Sequence, residues 1–302
     1  MTWQFLNSKY IKDNKLRNIV LGISGGLDSA VMAVIGLKAI NLLRTWKYQC
    51  GYSYTFIDVE SKDDDLVKAT ALATRFHFAL NKVNLTKWYQ DCPFRIPNPK
   101  DRDERVSNGN IKCRTRMVYL FDMAGKSGGL VLDTDDLSEM MMGFWTINGD
   151  VGNVKVIQEL TKDEVRDLGE YYGVPEIILN SAPGDGLGVT DSNAASDQLG
   201  MNYIKTDYLM SVLIRYGFDI NGPKDQLAND NFGWLINKVA LEIEEPVEKV
   251  LRVVHQALNT SFKRKYGDNV AILLPSRTAM GLPELRFANF SDLYFAAIKK
   301  DS

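Results

Sequence analysis

The stretch LGISGGLDSA, residues 21–30, decides how the rest of this chain is read. It follows the apolar run NIV and leads into VMAVIGLKAINLL, so a glycine-rich turn is expected between a buried strand and the first turn of a helix. A turn of this kind aims several backbone N–H groups at one point, and the helix dipole adds positive potential there. Phosphate is the natural ligand. The stretch is neither a Walker loop, since no lysine follows its second glycine, nor the dinucleotide G-x-G-x-x-G pattern. Its competing explanation is a plain glycine turn in which Asp28 complements the helix dipole, but that leaves the hydroxyls of Ser24 and Ser29 without a purpose.

Working outward, residues 18–24, 52–59, 78–85 and 130–134 read as strands, and helical patterns separate them. This alternation predicts an α/β fold, Rossmann-like and doubly wound, with a mostly parallel sheet flanked by helices. Residues 91–110, DCPFRIPNPKDRDERVSNGN, carry three prolines and many charges without a period, and are expected to form a long loop. TKDEVRDLGEYYG, residues 161–173, reads as a helix with a capping box from Thr161 to Glu164. Beyond about residue 190 the text is mainly helical. No repeat or linker stands out, so one domain over residues 1–302 is expected.

Bulk properties exclude several classes. The 302 residues carry a formal net charge of −2, which gives no global field for a polyanion, so nucleic acid is not expected as the main partner. The N-terminus lacks a signal-peptide core and no apolar run reaches membrane-spanning length, so a cytoplasmic protein is expected. Cys50, Cys92 and Cys113 are scattered and odd in number, which suits neither a disulfide framework nor a zinc site. With two histidines, His77 and His255, a Ser-His-Asp triad has no support.

Lys162 is a local puzzle. It falls at the first helical position after Thr161, where a cation opposes the macrodipole unless an anion lies nearby. A lysine tip in water there would cost only about a few tenths of a kcal/mol, and a bound phosphate would remove the conflict.

The six residues SGGLDS resemble the S-G-G-x-D-S signature of the N-type ATP pyrophosphatases, which cleave ATP between its α and β phosphates. Downstream text narrows the family. NGNIKCRTRM (108–117), LVLDTDDLSEMMMGFWTINGDVGN (130–153), ELTK (159–162), GVPE (173–176) and SFKRK (261–265) resemble, in order, segments of the ammonia-dependent NAD synthetases. That resemblance implies an adenine nucleotide alpha-hydrolase-like fold and a ligase with ATP as co-substrate, Mg²⁺ as cofactor and a homodimeric assembly. The reaction it implies is amidation of deamido-NAD with ammonia, through an adenylated intermediate, to NAD, AMP and pyrophosphate. The chain has no room for an added amidase domain, so ammonia rather than glutamine is expected.

The resemblance also implies site residues. Gly22, Ile23, Ser24, Gly25, Gly26, Leu27, Asp28, Ser29, Thr134 and Lys162 would bind ATP; Asp28 and Glu139 would bind the metal. Arg114, Asp150, Asn153 and Lys263 would meet deamido-NAD, and Asp28, Lys162 and Asp150 would serve catalysis. Read without it, Glu139 is the third residue of a capping box with Asp136, Thr134 a helix cap, Asp150 a turn residue and Lys263 part of a basic surface turn. The run Met140–Trp145 reads as core or subunit interface.

Departures from the family pattern stand at Asp133, Ile147, Asn153, Gly184 and Phe262, mostly on the deamido-NAD side. They leave two alternatives open: another N-type ATP pyrophosphatase, such as a tRNA-modifying enzyme, or a catalytically silent nucleotide-binding homologue.

Overall fold

A computed structural model describes residues 2–184, 186–190 and 195–265. The end of the expected C-terminal region, from residue 266 onward, lies outside the described residues, as do Asp185 and residues 191–194. The described residues belong to one compact unit.

In chain order the elements are α1 (Thr2–Asp13), β1 (Asn18–Gly22), α2 (Leu27–Thr45), β2 (Gly51–Asp58), α3 (Asp63–Phe76), β3 (Leu80–Asn84), α4 (Thr86–Gln90), α5 (Arg102–Ser127) and β4 (Gly129–Val131). There follow α6 (Leu137–Met142), α7 (Lys162–Tyr172), α8 (Glu176–Leu179), α9 (Ala195–Leu199), α10 (Tyr203–Arg215), a 3₁₀ turn (Lys224–Ala228), α11 (Asp230–Glu242), α12 (Val247–Asn259) and α13 (Ser261–Lys265). The sheet order is β3-β2-β1-β4 and every pairing is parallel.

The apolar run in β1 is explained by burial on both faces. Ile19 and Leu21 meet Tyr54, Phe56, Val31, Ile35, Leu72 and Val165 in one layer, while Val20, Ile57 and Val131 pack on Met117, Leu120 and Ala124 of α5 in the other. Strands covered on both sides lose the alternation of a half-exposed strand. A third cluster joins Met141 and Met142 to α10, α11 and α12. The Met140–Trp145 run is therefore core, with Met141, Met142 and Trp145 buried within the unit.

The expected loop over residues 91–110 is shorter than its composition suggested. Asp101 accepts from the Glu104 N–H at 2.9 Å, so α5 starts at Arg102 and its charged opening is a capped, dipole-matched first turn. What remains of the loop is pinned by buried Asn108, whose side chain accepts from Ile96 N at 2.9 Å and donates to Ile96 O at 2.8 Å.

Chain order from β1 through β2 to β3 runs one way across the sheet, and β4 then lands on the opposite side of β1. Two crossovers diverge at this switch point, leaving a crevice beyond the carboxyl ends of β1 and β4. The loop at residues 23–26 and the segment 132–136 both open there.

Candidate active site

The turn after β1 is held by its own hydroxyls. Ser24 N donates to Ser29 Oγ at 3.2 Å, Gly26 N donates to Ser24 Oγ at 3.2 Å, and Ser29 Oγ donates to Gly26 O at 3.0 Å. A plain turn does account for these hydroxyls, so the puzzle they pose in the sequence has a structural solution. Gly25 sits at φ +87°, and a Cβ there would lie 2.5 Å from the Asp65 carbonyl oxygen, so only glycine fits. Gly26 caps α2 without a side chain, leaving the Leu27, Asp28 and Ser29 N–H groups in a first turn with no intrahelical acceptor.

Asp28 projects from that turn toward Lys162. The ammonium lies 2.9 Å from Asp28 Oδ1, 2.8 Å from Asp136 Oδ2 and 3.2 Å from Glu139 Oε1, and 5.0 Å above the Tyr203 ring. Its side chain is 9% exposed, which excludes a lysine waving in water. Burial alone would lower its pKa, but Asp28, Glu139 and Asp136 more than reverse this and hold it well above the lysine range. The anion that the macrodipole argument demands is thus supplied by three carboxylates.

Capping boxes at both helix starts set this geometry. In α6, Asp136 accepts from Glu139 N at 2.9 Å while Glu139 Oε2 accepts from Asp136 N; in α7, Thr161 and Glu164 do the same. Glu139 therefore caps with one oxygen and meets Lys162 with the other, so its two readings coexist. Burial pushes both Asp136 and Glu139 up, with Lys162 pulling them back.

A second acidic group stands beside it. Asp133 is 1% exposed; its carboxylate accepts from Asp135 N at 2.7 Å and Gly152 N at 2.6 Å. Its side chain turns inward as an anchor for the 150–152 loop instead of crowding a nucleotide. Gly152 must be glycine for this approach, since a Cβ would lie 2.6 Å from Asp133 N. Lys155 Nζ lies 3.9 Å from Asp133 and 3.8 Å from Asp135. Burial pushes Asp135 well up, and Asp133 and Asp150 add to it.

Asp150 accepts from Thr146 N at 2.8 Å, closing a turn, and burial pushes its carboxyl up to about 7. Thr134 is half-buried between Asp133 and Asp135, and the helix cap falls to Asp136 instead.

The residues expected on the deamido-NAD side have structural partners of their own. Exposed Arg114 donates to Ile147 O at 3.2 Å. Asn153 Oδ1 accepts from Val131 N at 2.9 Å, extending the edge of β4. Lys263 donates to the carbonyls of Gly143, at 2.7 Å, and Trp145, with its ammonium 5.1 Å from the Trp145 ring. Burial lowers its pKa. Among the departures, Ile147, Asn153, Gly184 and Phe262 are exposed and Asp133 alone is buried.

Several residues that sequence reasoning passed over belong to this assembly. Asp136 had signalled only a cap, Ser138 and Arg264 stood in matched stretches without a role of their own, and Lys155, Tyr203 and Asp207 carry no local pattern that marks them. Arg264 donates to Met141 O at 3.0 Å, Ile220 O at 2.8 Å and Asn221 Oδ1 at 3.0 Å, tying the 140s segment to the C-terminal helices.

The residues of this chain match the family model for NAD synthase over positions 2–267. The chain belongs to the NAD synthase family. It is 30% identical over 260 residues to the NH(3)-dependent NAD(+) synthetase of Pyrococcus furiosus, covering 85% of this chain and 89% of that one. To the enzyme of the same name from Syntrophomonas wolfei it is 33% identical over 208 residues, with 67% and 79% covered. In fold it is similar to an NMN synthetase from Francisella tularensis, TM-score 0.65 at 21% identity, over 91% of this chain and 95% of that one. It is also similar to the NH3-dependent NAD synthetase of Campylobacter jejuni, TM-score 0.63 at 19% identity, over 91% and 96%. The all-parallel sheet with helices on both faces bears out the α/β architecture expected from the alternating strands, and these two solved structures share the fold.

Proposed function

We infer that this NAD synthase family member catalyses ATP-dependent amidation of deamido-NAD with ammonia, giving NAD, AMP and pyrophosphate. The observation that carries the reading is Lys162, whose ammonium joins Asp28 of the turn after β1 to Asp136 and Glu139 after β4 at the switch point. One glycine-rich anion cradle, one cation and several carboxylates thereby meet where an α/β sheet accepts ligands.

In the first step a nicotinate carboxylate oxygen bonds to the α-phosphorus of ATP while the α–β bridging bond breaks and pyrophosphate leaves. In the second, ammonia bonds to the activated carbonyl carbon, the bond to AMP breaks, and the nitrogen sheds a proton. Residues 22–29, Thr134 and Lys162 would hold ATP, with first-turn N–H groups of α2 and the Lys162 ammonium answering its phosphate charge. Arg114, Asp150, Asn153 and Lys263 would meet deamido-NAD. Asp150, pushed up to about 7 by burial, is suited to take the proton from nitrogen.

Asp28, Asp133, Asp135, Asp136, Glu139 and Asp150 outnumber Lys155, Lys162 and Lys263 around this crevice, so a second cation fits before an anionic nucleotide does. Among the described residues no three acidic, cysteine or histidine side chains converge at metal-ligand geometry. Two carboxylates, Asp28 and Glu139, would hold Mg²⁺ with phosphate oxygens and water completing its shell, and the ion would draw charge from the triphosphate.

We further propose one domain over residues 1–302, a cytoplasmic location and a homodimer. Exposed Val118 and Phe121 on α5 support an interface between copies. No helix of the described residues is long and apolar enough to cross a membrane.

The test is incubation of purified protein with ATP, Mg²⁺, deamido-NAD and ammonium, following NAD and AMP separately. Equal yields are expected. ATP binding with neither product would replace this reading with a silent nucleotide-binding homologue.

A further inference from the structure

The ammonium of Lys162 is held by three carboxylates, but its backbone is held by a separate chain of contacts. Lys162 is the first residue of α7, and its N–H has no carbonyl within the helix to accept it. Ser138 Oγ accepts that N–H at 2.9 Å. The same hydroxyl donates to Asp207 Oδ2 of α10 at 2.8 Å. Ser138 is completely buried and Asp207 is 8% exposed, so water does not compete for these bonds. Once ionised, above about pH 7, Asp207 only accepts, so it dictates that the Ser138 proton points away from α7 and its lone pair toward Lys162.

Asp207 lies one helical turn after Tyr203, whose ring sits beneath the Lys162 ammonium. Residues four apart share a helix face, so α10 presents two successive side chains to the same lysine, one to its tip and one, through Ser138, to its backbone. Asp207 holds a costly place. Its second oxygen, Oδ1, is buried without a hydrogen-bond partner, and burial pushes the carboxyl up to about 7 against the pull of Ser138 and Lys162, with Asp136 and Asp163 adding to the push. A leucine of similar size would avoid this cost if packing were the only role.

We propose that Asp207 is a positioning residue for the reaction: by fixing the Ser138 hydroxyl it clasps α6, α7 and α10 together and sets Lys162 at the phosphate site. The C-terminal helices, remote in sequence from the glycine-rich turn, thereby act on ATP binding. This rests on the reading of Lys162 as an ATP ligand.

The experiment compares the ATP KM, kcat and Tm of the full chain as wild type, Asp207→Asn, Asp207→Leu, Ser138→Ala, Ser138→Ala/Asp207→Leu and Lys162→Met. Asp207→Leu and Ser138→Ala should each raise the ATP KM about tenfold, the scale of a hydrogen bond to a charged group, with kcat changing less. Asp207→Asn keeps a carbonyl for Ser138 and should stay within about twofold of wild type, while the double variant should be no worse than either single one.

An Asp207→Asn as impaired as Asp207→Leu, an additive double variant, or Ser138→Ala at wild-type KM would each overturn the proposal. Should Asp207→Leu fail to fold, Ser138→Ala and Asp207→Asn make the same comparison. Lys162→Met separates the two levels: an unchanged ATP KM there removes the reading of Lys162 itself, whereas a raised one beside unaffected Ser138→Ala and Asp207→Leu overturns the positioning role alone.

Discussion

Replacing Lys162 with methionine tests the electrostatics of the site without substrate. The ammonium makes contacts of 2.9, 2.8 and 3.2 Å to Asp28, Asp136 and Glu139, none of whose side chains is more than 24% exposed. At an effective dielectric near 20, each contact at about 3 Å is worth roughly 5–6 kcal/mol of Coulomb attraction. Desolvation of the charges offsets most of this, but removing one partner leaves the others uncompensated, which costs about 3–5 kcal/mol.

The loss depends on pH in a definite direction. Asp136 and Glu139 are already raised by burial, and without Lys162 they rise further above their unfolded values near 4. Between those values the folded chain binds more protons than the unfolded one, so stability falls as pH rises. Lys162 itself, raised above the lysine range, stays charged from pH 5 to 8 in both states and adds no slope there. Urea unfolding followed by circular dichroism should show a variant deficit of about 3–5 kcal/mol at pH 8 and distinctly less at pH 5. A deficit under about 1 kcal/mol at pH 8, or one that does not change with pH, would refute the three-carboxylate cage.

Gly25→Ala places a Cβ against the Asp65 carbonyl at a positive φ; it should cost at least about 1–3 kcal/mol in urea melts and raise the ATP KM, and a neutral result removes the strained turn from the phosphate site. For Asp150→Asn, turnover at constant free ammonia should fall about a hundredfold at pH 8. The ratio of wild type to variant should climb through about pH 7, as the Asp150 carboxylate forms, and then level off, whereas parallel profiles would remove Asp150 from proton transfer. Asp28→Asn keeps the turn's backbone, so the fold should survive with pyrophosphate release abolished; retained turnover takes Asp28 out of the metal site. Arg264→Met severs the bonds to Met141 O and Ile220 O and should lower stability by about 2–4 kcal/mol in the same melts, and an unchanged midpoint would make that link idle.

What was legible from the residues alone were features written in short-range code. A continuous apolar run marked β1 because both its faces are covered, the Thr161 to Glu164 spacing marked the start of α7, and SGGLDS marked a turn poised for an anion. Charge composition misled at residues 102–110, where acids that resemble loop text are the dipole-matched first turns of α5. The sequence could also state that Lys162 needs an anion, because helix position and charge are local properties.

Which anion it finds is a long-range matter. Asp28 is 134 residues away, and only the reversal of strand order between β1 and β4 brings the two into contact. Asp133 illustrates the same limit: the pattern marks it as foreign, and only the fold turns its side chain inward to Gly152 N. Asp207 has no motif at all, since its meaning lies in a hydroxyl 69 residues distant. Local backbone preference and periodicity are determined within a few residues, whereas the partners of a buried charge are chosen by topology and by the burial that makes an unpaired charge too costly to keep.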